Sequence, residues 1–348
     1  MRIENKLKKL LSFILVVVML FGVIPPTSLA VEQQADRELE FVAENEEIGL
    51  QLLPLSTGNP VRLPLDIVEQ DLADLQALMT QAAQQAINGD RTPLSEPVEW
   101  RFLFLCYTHI RVAGDSQDFH ITNAQRQWLQ DIADEFQELV ESAVSCIRIH
   151  VSIVFIEDLL TIPQTSENMI GTAFAISQSL IQADLDRIGV LGNYDIVLTT
   201  VPEDDPFFIG GFAAADITSG FGYGAFSLGH PHPLGVNEIR WGTRVDIHEW
   251  LHMLEGAYKW NDFLPGVLFP NVHGYLNYPE YANYGTWSYC PDTGNWPYYK
   301  AILQGQLLYG GLQEIGMFPQ MWRLTPREIN RGGNTHSVKG ISEWFSFL

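Results

Sequence analysis

Val245-Asp246-Ile247-His248-Glu249-Trp250-Leu251-His252-Met253-Leu254-Glu255-Gly256 holds H-E-x-x-H inside an amphipathic helical pattern, and the rest of the chain is organised around it. Residues four apart on an α-helix lie on one face, so His248 and His252 can aim ring nitrogens at one metal ion, with Glu249 beside them. At about 100° per residue, Glu255 falls close to the two histidines, whereas Ile247, Trp250, Leu251 and Leu254 gather on the opposite side. One face is chemical and the other belongs to a core. Two histidines and two carboxylates on one helix face are costly to bury without a cation, so the spacing reads as a zinc site.

The chain has 348 residues, 46% of them hydrophobic and 11% aromatic, enough for a substantial packed core. Arg2, Lys6, Lys8 and Lys9 precede an apolar run over residues 10–24, and a small-residue site ends at Ala30. That run is shorter than the roughly 20 residues that span a bilayer, so residues 1–30 read as a secretory signal peptide. The expectation is an exported protein, not integral to a membrane after cleavage. Removal of the leader leaves 16 Lys and Arg against 41 Asp and Glu, a net charge of −25. Such acidity argues against nucleic acid and anionic membrane surfaces as partners. Cys106, Cys146 and Cys290 are too few for a disulfide framework, although a Cys106 to Cys146 bridge is open to an exported chain.

Taken in order, residues 31–95 form an acidic, then proline-containing extension with a helix near 65–87 stopped by Asn88-Gly89, either a propeptide or a helix packed on the domain. A domain over residues 96–310 follows. It opens with a buried strand at 101–107 and a helix introduced by Thr122 and Gln125 in capping-box form. Next come a β-branched strand at 147–156, a second helix expected over 168–188 and ended by Gly189, and a third strand at 194–201. The active-site helix falls near 243–257. The alternation predicts an α/β (α+β) fold with a mixed sheet. Gly210 to Ala215 and Ser219 to Leu228 are rich in small residues; Gly224, Ala225 and Phe226 are expected to form an edge strand that accepts an extended polypeptide through main-chain hydrogen bonds. Residues 261–297 are loop-like and aromatic, and residues 311–348 read as a separate, loop-rich and partly helical C-terminal segment.

His248-Glu249-Trp250-Leu251-His252 resembles the active-site helix of the zincin metallopeptidases, and the order of sheet, small-residue strand and metal helix is similar to that fold. The resemblance spans roughly residues 98–300 and is specific only at the five-residue motif. It implies one Zn2+ held by His248 and His252, Glu249 as general base, a polypeptide substrate, and an oxyanion donor for which Tyr278 or Tyr284 is available. In the metzincin branch the motif extends to H-E-x-x-H-x-x-G-x-x-H, but here Glu255 and Tyr258 stand at the glycine and third histidine positions.

The third ligand is therefore open. His273 leads, followed by Glu280, by Glu255, and then by Asp262 and Asp292. Glu255 has a second reading, as the carboxylate that orients a ligand histidine through its other ring nitrogen. His230 and His232, in a proline-punctuated loop, read as loop residues. The competing reading of the whole is a non-catalytic binding or structural domain of the same architecture. The chain contains no G-x-S-x-G, phosphate-binding or EF-hand motif.

Overall fold

The computed structural model describes residues 65–115, 117–165, 168–170, 173–202, 211–228, 238–281, 289–290, 293–294 and 296–330, all within one compact unit, Asn45–Leu348. The leader, the segment to residue 64, the His230 and His232 loop, Tyr284, Asp292 and residues 331–348 lie outside them.

Helix α1 (Leu65–Asn88) comes first, then β1 (Val98–Tyr107), β2 (His109–Val112) and β3 (Asp118–His120). Helix α2 (Asn123–Ala143) leads to β4 (Ile147–Ile156) and β5 (Leu160–Ile162), followed by the short β6 (Met169–Ile170) and β7 (Ala173–Phe174). Helix α3 (Gln182–Ile188) precedes β8 (Ile196–Pro202), β9 (Gly211–Ala215) and β10 (Gly222–Leu228). Helix α4 (Glu238–Glu255) carries the histidine motif. After it come β11 (Tyr289–Cys290), β12 (Thr293–Gly294), α5 (Trp296–Leu303), β13 (Leu307–Tyr309), β14 (Gln313–Ile315) and α6 (Pro326–Ile329).

The central sheet has the order β4-β1-β8-β10-β9, parallel except for the last strand. Parallel strands covered on both faces read as unbroken apolar runs, and Leu103 to Cys106 in β1 are fully buried. The capping box at the start of α2 forms, with Thr122 and Gln125 satisfying each other's backbone N–H groups. Leu129, Ile132, Phe136 and Val140 then bury one face of α2 against the sheet. Trp250 of α4 meets Trp100, Phe102, Phe136 and Trp322 edge-on or tilted, with ring centroids 5.2–5.9 Å apart.

Two expectations are corrected. Gly224, Ala225 and Phe226 lie in β10, paired with β8 on one side and β9 on the other, so the edge is β9. The glycines of β10 admit a helix instead of a ligand: a Cβ on Gly222 would stand 2.7 Å from Met253 Sδ, and one on Gly224 2.8 Å from Met253 Cε. The helix expected over 168–188 shortens to α3, because Asn168 Oδ1 accepts from the backbone and hydroxyl of Ser177 and closes a turn instead. Gly189 does end that helix, in the left-handed conformation at φ 72°.

Of the two alternatives for the helix near 65–87, the structure has it packed on the domain. Leu75, Met79, Ala82 and Ala86 of α1 share one core with Trp322 and Leu324, and Gln320 N donates to Gln85 Oε1 at 2.7 Å. Arg327 reaches back to the buried Asp195 at 2.9 Å. Last, Cys106 and Cys146 are free. Val98 N donates to Cys146 O at one end of β1, and Cys106 lies eight residues further along that strand, roughly 25 Å away.

Candidate metal centre

The core face of α4 forms as its spacing predicts: Ile247, Trp250, Leu251 and Leu254 are all buried. Its polar face is buried too, because the chain continues through a π-helical turn (Gly256–Trp260) and folds back over it. Val272 N then donates to Glu255 Oε2 at 3.3 Å. That bond ties the returning loop to the helix one residue before His273. His273 N is held by Asn271 Oδ1 at 2.7 Å, and Asn271 O accepts from Tyr298 Oη at 2.5 Å.

Three imidazoles converge as a result. His252 Nε2 lies 3.1 Å from His248 Nε2 and 3.0 Å from His273 Nε2. A tetrahedral zinc with Zn–N bonds of about 2.0–2.1 Å sets its nitrogen ligands about 3.3 Å apart, and the two distances from His252 Nε2 are within about 0.3 Å of that value.

Proton bookkeeping points the same way. The Glu255 carboxylate can only accept, so His252 Nδ1, 3.2 Å from Glu255 Oε2, carries the proton and His252 Nε2 presents a lone pair. That lone pair faces two other ring nitrogens, Nε2 of His248 and Nε2 of His273. On the far side of His248, Nδ1 meets Tyr299 Oη of α5 at 2.6 Å, leaving Nε2 directed inward. Burial, then the neighbouring imidazoles, hold His248 far below the ordinary histidine range, and the same causes bring His273 down to about 3. The His248 and His273 rings therefore stay neutral, the form that binds metal.

Glu255 is almost fully buried. Burial by itself raises a carboxyl, but the hydrogen bond from His252 and the Lys259 ammonium, 2.6 Å from Oε1, together outweigh it and hold Glu255 below the usual range. It is an anion whose partners are His252, Lys259 and the Val272 amide. Glu249 is buried next to His248, against the first residue of β9: a Cβ on Gly211 would lie 2.6 Å from Glu249 Oε1.

Of the other residues singled out in the sequence, Glu280 and Asp262 are exposed and stand outside the histidine group. Tyr278 packs against Tyr281 and Tyr298, and burial raises its phenol. Tyr299 was not singled out from sequence; its signal lies in the Trp296-Pro297-Tyr298-Tyr299 run of a predicted helix, where one aromatic face turns toward the histidines.

A second group, His109, Asp118 and His120, also brings ligand-type atoms within 4.8 Å of one another. Its chemistry is different. Arg111 clasps Asp118 through Nε and Nη2, His109 Nε2 meets the same carboxylate at 2.8 Å, and the two imidazoles stack at 4.1 Å with 23° between their planes. Stacked rings aim their lone pairs side by side, and the arginine already compensates the carboxylate, so this is a salt-bridged cross-strand cluster.

No protein-family model matches the sequence, and no curated protein does. Among solved structures, the chain is similar to archaemetzincin from Methanopyrus kandleri, at 20% identity and a TM-score of 0.25, over 47% of this chain and 76% of that one. A likeness of that size carries no inference about site or activity. The architecture that stands on the chain's own geometry is a mixed α/β fold whose sheet, α4 and returning loop bring three histidines together.

Proposed function

We propose that the chain is a zinc-dependent peptidase of the zincin type, exported by the leader at residues 1–30, with one Zn2+ held by His248, His252 and His273 and with Glu249 as its base. The observation that carries this reading is the convergence of three imidazoles, with His252 Nε2 3.1 Å from His248 Nε2 and 3.0 Å from His273 Nε2, beside a buried carboxylate. Three protein ligands leave a fourth position open, and a divalent ion bound there supplies Lewis acidity and lowers the pKa of water. Glu249 takes the proton of the attacking water and delivers it to the leaving amine. Glu255 and Tyr299 hold His252 and His248 in the tautomer and rotation that keep Nε2 directed at the ion. The substrate reading moves from β10 to β9. Among the described residues β9 pairs with β10 alone, and its first residue abuts Glu249, so an extended peptide added along Gly211–Ala215 passes beside the base.

The test is metal content and casein cleavage by the purified chain, alongside Glu249→Gln and His273→Ala. The expected result is about one zinc per chain and proteolysis in the parent. Glu249→Gln should abolish cleavage with zinc retained, and His273→Ala should lose zinc. Cleavage by Glu249→Gln at the parental rate, or no zinc uptake after reconstitution, overturns the proposal.

A further inference from the structure

The opposite edge of the sheet raises a separate question. Strand β4 pairs with β1 over all ten of its residues, Val98 with Ile147 through Tyr107 with Ile156, without a bulge, and among the described residues no strand lies on its other side. Natural edges are guarded by charges, prolines, bulges or covering elements. The first half of β4 has such guards: Glu141 Oε1 accepts from Ile149 N at 2.8 Å, and Arg148 Nη1 folds back onto Ile147 O at 2.8 Å. The second half, Val151-Ser152-Ile153-Val154-Phe155, has no such bond on its outward main-chain groups among the described residues; Arg126 covers the face of the Phe155 ring, 4.6 Å from its centroid. All five residues are half-buried, whereas the paired stretch of β1 is fully buried.

The direction of the backbone follows from bonds already described. In a parallel ladder, alternate residues turn both N–H and C=O to the same side. Ile156 O faces β1 and accepts from Thr108 N, whereas Ile147 O and Ile149 N face outward to Arg148 and Glu141. By that parity the N–H and C=O groups of Val151, Ile153 and Phe155 face outward as well. These are six main-chain groups on an apolar strand, with no protein partner among the described residues.

We propose that β4 is the edge through which two copies of this chain associate, antiparallel about a two-fold axis at Ile153. In that register Ile153 pairs with Ile153 and Val151 with Phe155, so all six outward groups are matched and the Glu141 bond to Ile149 is left intact. The charges select a second copy as the occupant. Extended two residues past the end of β4 at Ile156, the same register brings the exposed Arg148 toward the exposed Asp158 of the second copy, twice per dimer. A two-fold interface has to be self-complementary, and this strand carries a cation at one end, an anion just past the other and open apolar residues between.

Sedimentation velocity of the full chain from about 1 to 100 μM reads the association directly. The parent is expected to dimerise in this range. Arg148→Glu, a surface change, is expected to weaken the dimer about tenfold or more, since two attractive pairs become repulsive. The doubly exchanged Arg148→Glu/Asp158→Arg should restore parental association. Ile153→Cys should form an inter-chain disulfide on oxidation that the parent does not, because residues facing each other in a hydrogen-bonded antiparallel pair have Cα atoms about 5.5 Å apart. A chain that stays monomeric at about 100 μM, or a dimer indifferent to Arg148→Glu, overturns the proposal.

Discussion

Gly211→Ala is the substitution that most directly questions the placing of Glu249. The added Cβ would lie 2.6 Å from Glu249 Oε1 and 3.3 Å from Cδ, and closer still to Val245 Cγ1. Ordinary carbon to oxygen contacts begin near 3.4 Å, so the carboxylate or the start of β9 must give way by roughly 0.8 Å. Displacements of about 1 Å from reacting geometry cost on the order of 10²-fold in rate, within the roughly 10²–10⁴-fold that a positioned base contributes. Overpacking costs about 1–3 kcal/mol of stability besides. The expected outcome is a kcat/KM for an unstructured polypeptide roughly 30–100-fold below the parent, with bound zinc unchanged because the three histidines do not touch Gly211. Gly222→Ala is the control. Its Cβ meets Met253 Sδ and Ile196 Cδ1 at 2.7 Å, away from Glu249, so it should lose stability while each folded molecule keeps its activity. A folded, zinc-loaded Gly211→Ala chain with activity within about twofold of the parent would refute the reasoning, whatever its melting temperature.

Further outcomes follow from the packing. Glu255→Gln keeps the shape but removes the charge that fixes the His252 proton, and should weaken zinc binding about 10–100-fold in competition with a chelator. Arg327→Ala leaves the Asp195 carboxylate buried without its cation and should cost about 3–5 kcal/mol in urea unfolding. Met79→Ala should cost about 2–5 kcal/mol if α1 belongs to the domain core, and close to nothing if residues 31–95 are a detachable extension. Burial pushes the thiols of Cys106 and Cys146 up to about 12 and about 11. A raised pKa means less thiolate, roughly 10⁻⁴ and 10⁻³ of each at pH 8, so iodoacetamide should leave both unmodified there. Labelling should climb about tenfold per pH unit toward those values and become rapid for both in urea. Fast labelling of Cys106 in the native protein at pH 8, mapped by mass spectrometry, would count against the fold around β1.

What the sequence disclosed was whatever depends on neighbours along the chain. The capping box at Thr122 and Gln125, the β-branched run of β4, the left-handed Gly189 and the two-sided helix at 245–255 all appear where spacing alone puts them. What it concealed depends on neighbours in space. Both β9 and β10 are rich in small residues, and only the pairing order tells that Gly222 and Gly224 admit Met253 while Gly211 admits Glu249. Residues 168–178 hold apolar side chains at helical intervals, but Asn168 Oδ1 takes the Ser177 amide and hydroxyl in competition with the helical carbonyl four residues back, and the non-helical arrangement prevails.

The third histidine shows where the two kinds of information meet. His273 lies 21 residues beyond His252, and nothing in its own surroundings, Asn271-Val272-His273-Gly274, distinguishes it by periodicity from Glu280 or Asp262. The deciding residue is Glu255. Its position on the metal face was legible from the wheel, and a carboxylate buried there has acceptor capacity left after one bond to His252. The structure fills that capacity with the amide of Val272 and the ammonium of Lys259. One buried anion thus fixes the proton on His252 and the position of His273. The metzincin spacing, with glycine and histidine where this chain has Glu255 and Tyr258, has no place for such a carboxylate: with Tyr258 turned into the core, the third imidazole has to come from a returning loop, and Glu255 is what fastens that loop.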